Sequence, residues 1–163
     1  MERVRSQQEL QDLSLLADWV GAELQDAEPQ RRADIRVQPS LHAWGDERLL
    51  KLLLSQLMGN AWKFSREREP IRIQVSGKRE GKTVQLEIRD EGIGFDMRYA
   101  HKLFEPFQRL HGPDQGGGHG LGLAIVRRIA ERHHGSVRAD SSPESGATFT
   151  LELPAQALVE ESA

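Results

Sequence analysis

Hydrophobic positions recur with two periods along this chain, and the switches between them lay out its elements. From Ser14, read as a cap, to about Glu28, Leu15, Leu16, Trp19, Val20 and Leu24 gather on one side of a helix that Pro29 stops. Ile35 and Val37 alternate with polar neighbours and predict a short strand. After a turn at Gly45-Asp46 comes the strongest helical pattern, running to Phe64 with Asp46 as N-cap. Leu50, Leu53, Leu54, Leu57, Met58 and Ala61 form its apolar face. Period two then takes over. Ile71, Ile73 and Val75 make one strand, Val84, Leu86 and Ile88 the next, and Gly77 to Lys82 join them as a hairpin. Leu121 to His134 reads as a helix ending at Gly135. It is followed by strands over 136–140 and 147–153 and a loose tail after Pro154.

Two stretches lack either period. Met1 to Asp12 is polar and reads as the end of a longer helix or as linker. Asp90 to Gly120 is rich in glycine, with a short helix over about 98–104 and a segment over 107–119 expected to act as a lid. A loop that long inside a compact domain is usually functional. Strands that arrive as hairpins predict an α+β fold, a two-layer α/β sandwich. Its sheet is mixed but mostly antiparallel, with helices on one face. The domain is expected over 13–156, with 157–163 as a flexible tail.

Composition narrows the function classes. A length of 163 residues fits one domain with a real core. Lys and Arg number 22 against 25 Asp and Glu, so no basic footprint marks a nucleic acid or anionic membrane partner. The chain has no cysteine, which removes disulfides, thiol nucleophiles and cysteine zinc sites, and suits a cytoplasmic setting. No apolar run approaches the roughly 18 residues of a membrane span, so any span of a parent protein is expected outside this sequence.

Three places carry chemistry. Asp90 is the next inward position after Val84, Leu86 and Ile88, so a carboxylate sits where the core face points. Such a group needs hydrogen-bond partners. Either it caps the turn Glu91-Gly92-Ile93-Gly94, or it awaits a ligand's donor, such as an exocyclic amine. Gln56, Asn60 and Lys63 fall on one line of the long helix, bordering its apolar face. Such a line is a solvated edge, or it offers an amide oxygen to a hard cation and an ammonium to phosphate. Finally, Gly116-Gly117-Gly118-His119-Gly120-Leu121-Gly122 runs into a helix start, where free N–H groups suit phosphate, although plain linkers share such runs. Gly81-Lys82-Thr83 is not the end of a Walker A loop, because the first glycine falls at Ser76. His133 and His134, at a helix end, suit the helix dipole better than a metal.

Together these segments resemble the catalytic, ATP-binding domain of sensor histidine kinases. Asn60-Ala61-Trp62-Lys63-Phe64 is similar to the N box of that family, and Asp90-Glu91-Gly92-Ile93-Gly94 to the first glycine box. Leu103-Phe104-Glu105-Pro106-Phe107 is similar to the F box. Gly118-His119-Gly120-Leu121-Gly122-Leu123 is similar to the second glycine box and Gly146-Ala147-Thr148-Phe149 to the last. The order and spacing agree over roughly Leu13 to Pro154.

The resemblance implies the Bergerat fold, shared with the gyrase, heat-shock-90 and MutL ATPases, and ATP with Mg²⁺ as ligands. Asp90 would take the adenine amino group, with Gly92, Ile93 and Gly94 beside it and Phe64 packed near the base. Thr148 would help through a hydrogen bond or water. Asn60 and Gln56 would hold Mg²⁺, and Lys63 and Arg109 would face phosphate. Asn60, Lys63 and Arg109 are thus the implied catalytic set. Phe107, Gly118, His119, Gly120, Leu121 and Gly122 would complete the nucleotide site and the lid end.

Two departures qualify the resemblance. Gln56 stands where many relatives carry Asn, and it cannot act as a carboxylate base. The phosphoacceptor box is absent, since none of the six histidines has its setting. Residues 1–12 are at most the end of the dimerisation helix. The expected activity is therefore transfer of the γ-phosphoryl group to a histidine on a partner dimerisation domain, with a response regulator downstream. The chain by itself is expected to be a monomer. An anti-sigma-factor-type serine kinase and a degenerate nucleotide-binding regulatory module are the other readings.

Overall fold

The computed structural model describes residues 8–98, 103–105 and 122–157. Among them the elements run β1 Gln8–Asp12, α1 Leu13–Ala27, β2 Ala33–Val37, β3 His42–Asp46, α2 Glu47–Phe64, β4 Ile71–Glu80, β5 Thr83–Asp90, α3 Gly122–Arg132, β6 Ser136–Ser141 and β7 Ala147–Pro154. A five-stranded sheet has the order β2-β4-β5-β7-β6, while β1 and β3 pair as a separate ribbon. Only β2 and β4 are parallel, and α2 lies in the crossover between them. The expected two-layer α+β sandwich is what forms.

The inward positions explain why the layers stay together. Ile73, Val75, Leu86, Ile88, Phe149 and Leu151 are all buried, and register places Ile88 between Val75 and Phe149. Against this face lies α2, whose Leu50, Leu53, Leu54, Leu57 and Met58 are essentially inaccessible. Each such side chain contributes about 1.5–3 kcal/mol relative to exposure. The N-cap of α2 is Asp46, as the sequence predicts, accepting from the N–H groups of Arg48 and Leu49. No helix among the described residues is long and apolar enough to cross a membrane.

Several expectations need correction. Residues 8–12 are a strand, not a helix end or linker: Gln8–Asp12 pairs antiparallel with Asp46–His42, which the polar sequence does not advertise. Asp12, not Ser14, caps α1, accepting from the N–H of Leu15. Ser14 is instead buried, bridging the Gln38 carbonyl and the Leu41 N–H. The buried face of α1 is therefore Leu13, Leu16, Ala17 and Val20. Leu15 is 65% exposed, and Trp19 lies outside with the Lys51 ammonium 3.5 Å from its ring centre. Strand β4 runs past Gly77 to Glu80, so the hairpin is a two-residue turn at Gly81-Lys82.

Helix α3 closes with His134, not Gly135, in the left-handed conformation (φ 60°). The N–H groups of His134 and Gly135 return to the carbonyls of Glu131 and Ala130. His133 is buried and serves more than a dipole. Its Nε2 accepts from the Asp46 N–H, so its Nδ1 carries the hydrogen donated to the Ile129 carbonyl. It thereby ties the end of α3 to the start of α2. After Pro154 the chain is still packed, because Ala155 is buried and its N–H donates to the Lys82 carbonyl. The expected helix over 98–104 and the tail from 158 onward fall mostly or wholly outside the described residues.

Candidate functional site

Asp90 ends β5 on the inward face, between Ile73 of β4 and Ala147 of β7, and is 4% exposed. Its Oδ1 accepts two backbone N–H groups, from Gly92 at 2.8 Å and Ala147 at 3.3 Å. Both alternatives raised by the sequence are therefore compatible with one residue. Oδ1 caps the turn, while Oδ2 forms no hydrogen bond among the described residues and remains free for a donor. Burial pushes the carboxyl up to about 6, against the lowering effect of the two N–H groups.

The loop that leaves Asp90 is built by close backbone approach. The Ile93 N–H donates to the Phe64 carbonyl at the end of α2, and the Gly146 N–H to the Gly92 carbonyl, both at 3.0 Å. A side chain at Gly92 would run into the Phe64 carbonyl, and one at Gly146 (φ 75°) into the Asp90 carbonyl. The glycines of two boxes are thus required where the end of α2, the loop after β5 and the turn before β7 meet. Ser141 locks this meeting point, accepting from the Phe95 N–H and donating to the Gly146 carbonyl. Phe95 and Phe104 both pack on Phe149, the latter edge-on with ring centres 6.2 Å apart, which fastens the first residues of the F box to β7.

On the other side, α2 carries Gln56 and Asn60 half-buried and Lys63 exposed. Their three side chains form no hydrogen bond among the described residues. Gln56 reaches the start of α3: its Oε1 lies 2.5 Å from where a Cβ on Gly122 would stand. The line on α2 thus faces the helix start that follows the glycine-rich run. Among the described residues no group of three or more His, Cys, Asp or Glu side chains could hold a metal ion. The amide oxygens of Gln56 and Asn60 are suited to a hard cation that takes its remaining ligands from phosphate and water.

The structure therefore brings Asp90, Gly92, Ile93, Gly94 and the backbone of Phe64 together, and sets Gln56 against Gly122. Thr148 is a correction. Register pairs it with Arg89 and Asp140, neighbours on the opposite sheet face from Asp90. Ala147 is the residue beside Asp90, so Thr148 is not positioned to share a ligand with it. Phe107, Arg109, Gly118, His119, Gly120 and Leu121 lie outside the described residues, as does the whole of the expected lid over 107–119. Sequence reasoning missed Ser141 and Arg68, whose side chains bond to distant backbone that no local pattern reveals.

Comparison with known proteins agrees with this geometry. The family model described as histidine kinase-, DNA gyrase B- and HSP90-like ATPase matches residues 45–157. The sensor-like histidine kinase SenX3 of Mycobacterium bovis is 39% identical over 129 residues, 76% of this chain and 31% of its own length. The structure of the mycobacterial sensor histidine kinase MprB superposes with a TM-score of 0.76 at 25% identity, covering 91% of this chain and 97% of that one. Full-length ShkA in complex with AMPPNP gives 0.75 at 26% identity, over 94% of this chain and 32% of that one. The chain spans about a seventh to a third of the length of the curated relatives it matches. With the fold, the glycines of the first and last boxes and Asp90 in place, the chain belongs to the histidine kinase-, DNA gyrase B- and HSP90-like ATPases, where it matches the ATP-binding catalytic domain of sensor histidine kinases.

Proposed function

We propose that this domain binds Mg-ATP and passes the γ-phosphoryl group to a histidine on a partner dimerisation domain, as the catalytic half of a two-component kinase. The observation that carries the reading is Asp90, a buried carboxylate whose Oδ1 is satisfied by two N–H groups while Oδ2 has no partner among the described residues. An adenine amino group is a donor of the right kind for that oxygen. A buried charge kept half-satisfied would be an unexplained cost in a purely structural role.

The other residues divide the work. Gly92 and Gly146 hold the loop tight enough for a flat base to reach Asp90. Asn60 and Gln56 would hold Mg²⁺, which supplies neutralisation of phosphate charge when bound. Lys63, and Arg109 by its place in the resemblance, would face phosphate. The partner's imidazole nitrogen attacks the γ-phosphorus, the bond to the bridging oxygen breaks, and ADP leaves. The nucleophile brings its own lone pair, so the absence of a carboxylate base at Gln56 is no obstacle. Catalysis then rests on orientation and charge stabilisation. Such a role sets the domain in the cytoplasm beside its response regulator.

The test is transfer itself. With radioactive ATP and the dimerisation domain of the parent kinase, label that is acid-labile and alkali-stable is expected on the partner and not on this chain. Retention of such label on this chain alone, or ATP binding with no transfer to the partner, would contradict the reading.

A further inference from the structure

The loop that carries Gly92 is held from outside by a residue that belongs to none of the sequence boxes. Arg68 lies in the turn between α2 and β4. Its Nε donates to the Glu91 carbonyl at 3.0 Å, and its Nη2 reaches the Gly92 carbonyl at 3.5 Å and pairs with Glu144 at 3.1 Å. The turn is itself fixed, since Arg31 donates through Nη1 to the Arg66 carbonyl at 2.6 Å and through Nη2 to the Arg68 carbonyl at 2.7 Å.

The geometry of one peptide unit gives this contact a function. The Glu91 carbonyl and the Gly92 N–H belong to the same trans peptide and point in opposite directions. The carbonyl is taken by Arg68 on the outside, and the N–H is taken by Asp90 Oδ1 on the inside. A flip of that peptide would aim a carbonyl oxygen at the Asp90 carboxylate and leave the Arg68 guanidinium without its acceptor. We infer that Arg68 is a positioning residue for base recognition, holding the Glu91–Gly92 peptide so that Asp90 Oδ1 stays occupied and Oδ2 stays presented to the nucleotide. Arg68 does not touch the ligand. The Glu144 pair adds little to this, because the Glu144 side chain is 74% exposed, whereas that of Arg68 is only 36% exposed. The inference rests on the reading of Asp90 as the base-binding carboxylate.

The experiment is calorimetric titration of the chain with Mg-ADP from pH 5 to 8, for wild type, Arg68→Ala, Arg68→Lys and Asp90→Asn, with thermal midpoints measured alongside. The nucleotide's own titration is common to all variants and drops out. For Arg68→Ala, ADP should bind about tenfold more weakly at pH 7.5, the loss expected for one backbone hydrogen bond to a charged group. The acid limb of binding should also move to lower pH, because a loosened loop admits water to Asp90 and removes the burial that holds its carboxyl high. The thermal midpoint should fall by no more than the few degrees that losing this hydrogen bond costs the fold. Unchanged affinity and an unmoved limb would overturn the inference, as would weaker binding with an unmoved limb, which marks an effect through the fold alone. If the alanine variant does not fold, Arg68→Lys decides on the same two readings, wild-type values overturning the inference. Full ADP affinity in Asp90→Asn would sink the base-binding reading itself, whereas its loss beside a wild-type-like Arg68→Ala would sink only the clamp.

Discussion

The two ends of the site are fastened to the fold by opposite means. At the end proposed to take the base, a carboxylate is buried in the sheet, two N–H groups hold one of its oxygens, and the surrounding loops approach so closely that glycine is required. At the end proposed to take phosphate, Gln56, Asn60 and Lys63 stand on the rim of α2, half-buried or exposed, and their side chains form no hydrogen bond among the described residues. A flat neutral base brings little binding energy of its own, so the protein must prepare a dry, oriented acceptor in advance. A polyphosphate with its cation brings charge and ligands, so side chains that can adjust are sufficient there. The base end should therefore couple recognition to stability, and the phosphate end should not.

Asp90→Asn tests that coupling with the largest expected effect. Asparagine can keep Oδ1 on Gly92 and Ala147, but it turns a donor towards the adenine amine. Nucleotide affinity should fall roughly 10- to 150-fold, the worth of a hydrogen bond to a charged group. The apo protein should meanwhile become more stable. The carboxyl stands at about 6 in the fold against an ordinary 3.8, so between those values the folded state holds a proton that the unfolded state has lost. Stability therefore falls as pH rises from about 4 to 6, and the cost of the buried charge, on the order of 3 kcal/mol, is fully present above pH 6. Scanning calorimetry at pH 7.5 should show a raised thermal midpoint for the variant, with the gain shrinking towards pH 4. Lower stability at pH 7.5 with wild-type folding would break the claim that recognition is bought with stability. In the same way, wild-type ADP affinity should drop about tenfold for each pH unit below 6, over and above the nucleotide's own titration.

Gly92→Ala comes next. Its Cβ would meet the Phe64 carbonyl, which is backbone and already committed to the Ile93 N–H. Overpacking of this kind costs about 1–3 kcal/mol, so urea denaturation should show a lowered midpoint with an unchanged slope, and ADP binding should weaken with it. A neutral outcome on both would mean that the loop is looser than the base end requires.

How much of this contrast was legible in the sequence depends on the range of the interaction that makes it. Asp90 was found by strand parity alone, and α2 with its Asp46 cap by helical period. The same parity argument excludes Thr148, since Phe149 and Leu151 point inward and their neighbour must point out. The resemblance assigned Thr148 a role that its strand position does not support. Residues 8–12 and β3 were missed because their pairing is with each other, β1 is mostly exposed, and the alternating buried positions of β3, Ala43 and Gly45, are too small to mark a hydrophobic period. The α1 face was misread because the cap lies two residues earlier, at Asp12, and the small Ala17, not the large Trp19, faces the core. Ser141, His133 and Arg68 each act through a bond to backbone 23 to 87 positions away, which no short window of sequence contains.

The smallest effect is expected at the phosphate end, and it is the sharper test of the contrast because it predicts where nothing should happen. Lys63 sits in the last turn of α2, exposed and without an ion pair among the described residues. Removing its charge in Lys63→Met keeps the stem and loses only a few tenths of a kcal/mol of interaction with the helix dipole. The thermal midpoint should accordingly stay within the spread of ordinary surface substitutions, about 0.5 kcal/mol. An ammonium that meets phosphate in water is screened, so the loss in Mg-ADP affinity should be about 0.2–1 kcal/mol, the range of exposed ion pairs. That loss should shrink as salt is raised from 0.01 M to 1 M, because the Debye length falls from about 30 Å to 3 Å. Adenosine, which lacks phosphate, should bind wild type and variant alike, whereas Asp90→Asn should weaken adenosine and ADP by the same factor. The comparison fails if Lys63→Met lowers stability by more than 1 kcal/mol or weakens adenosine as much as ADP. Either result would mean that the phosphate end is built into the fold as firmly as the base end.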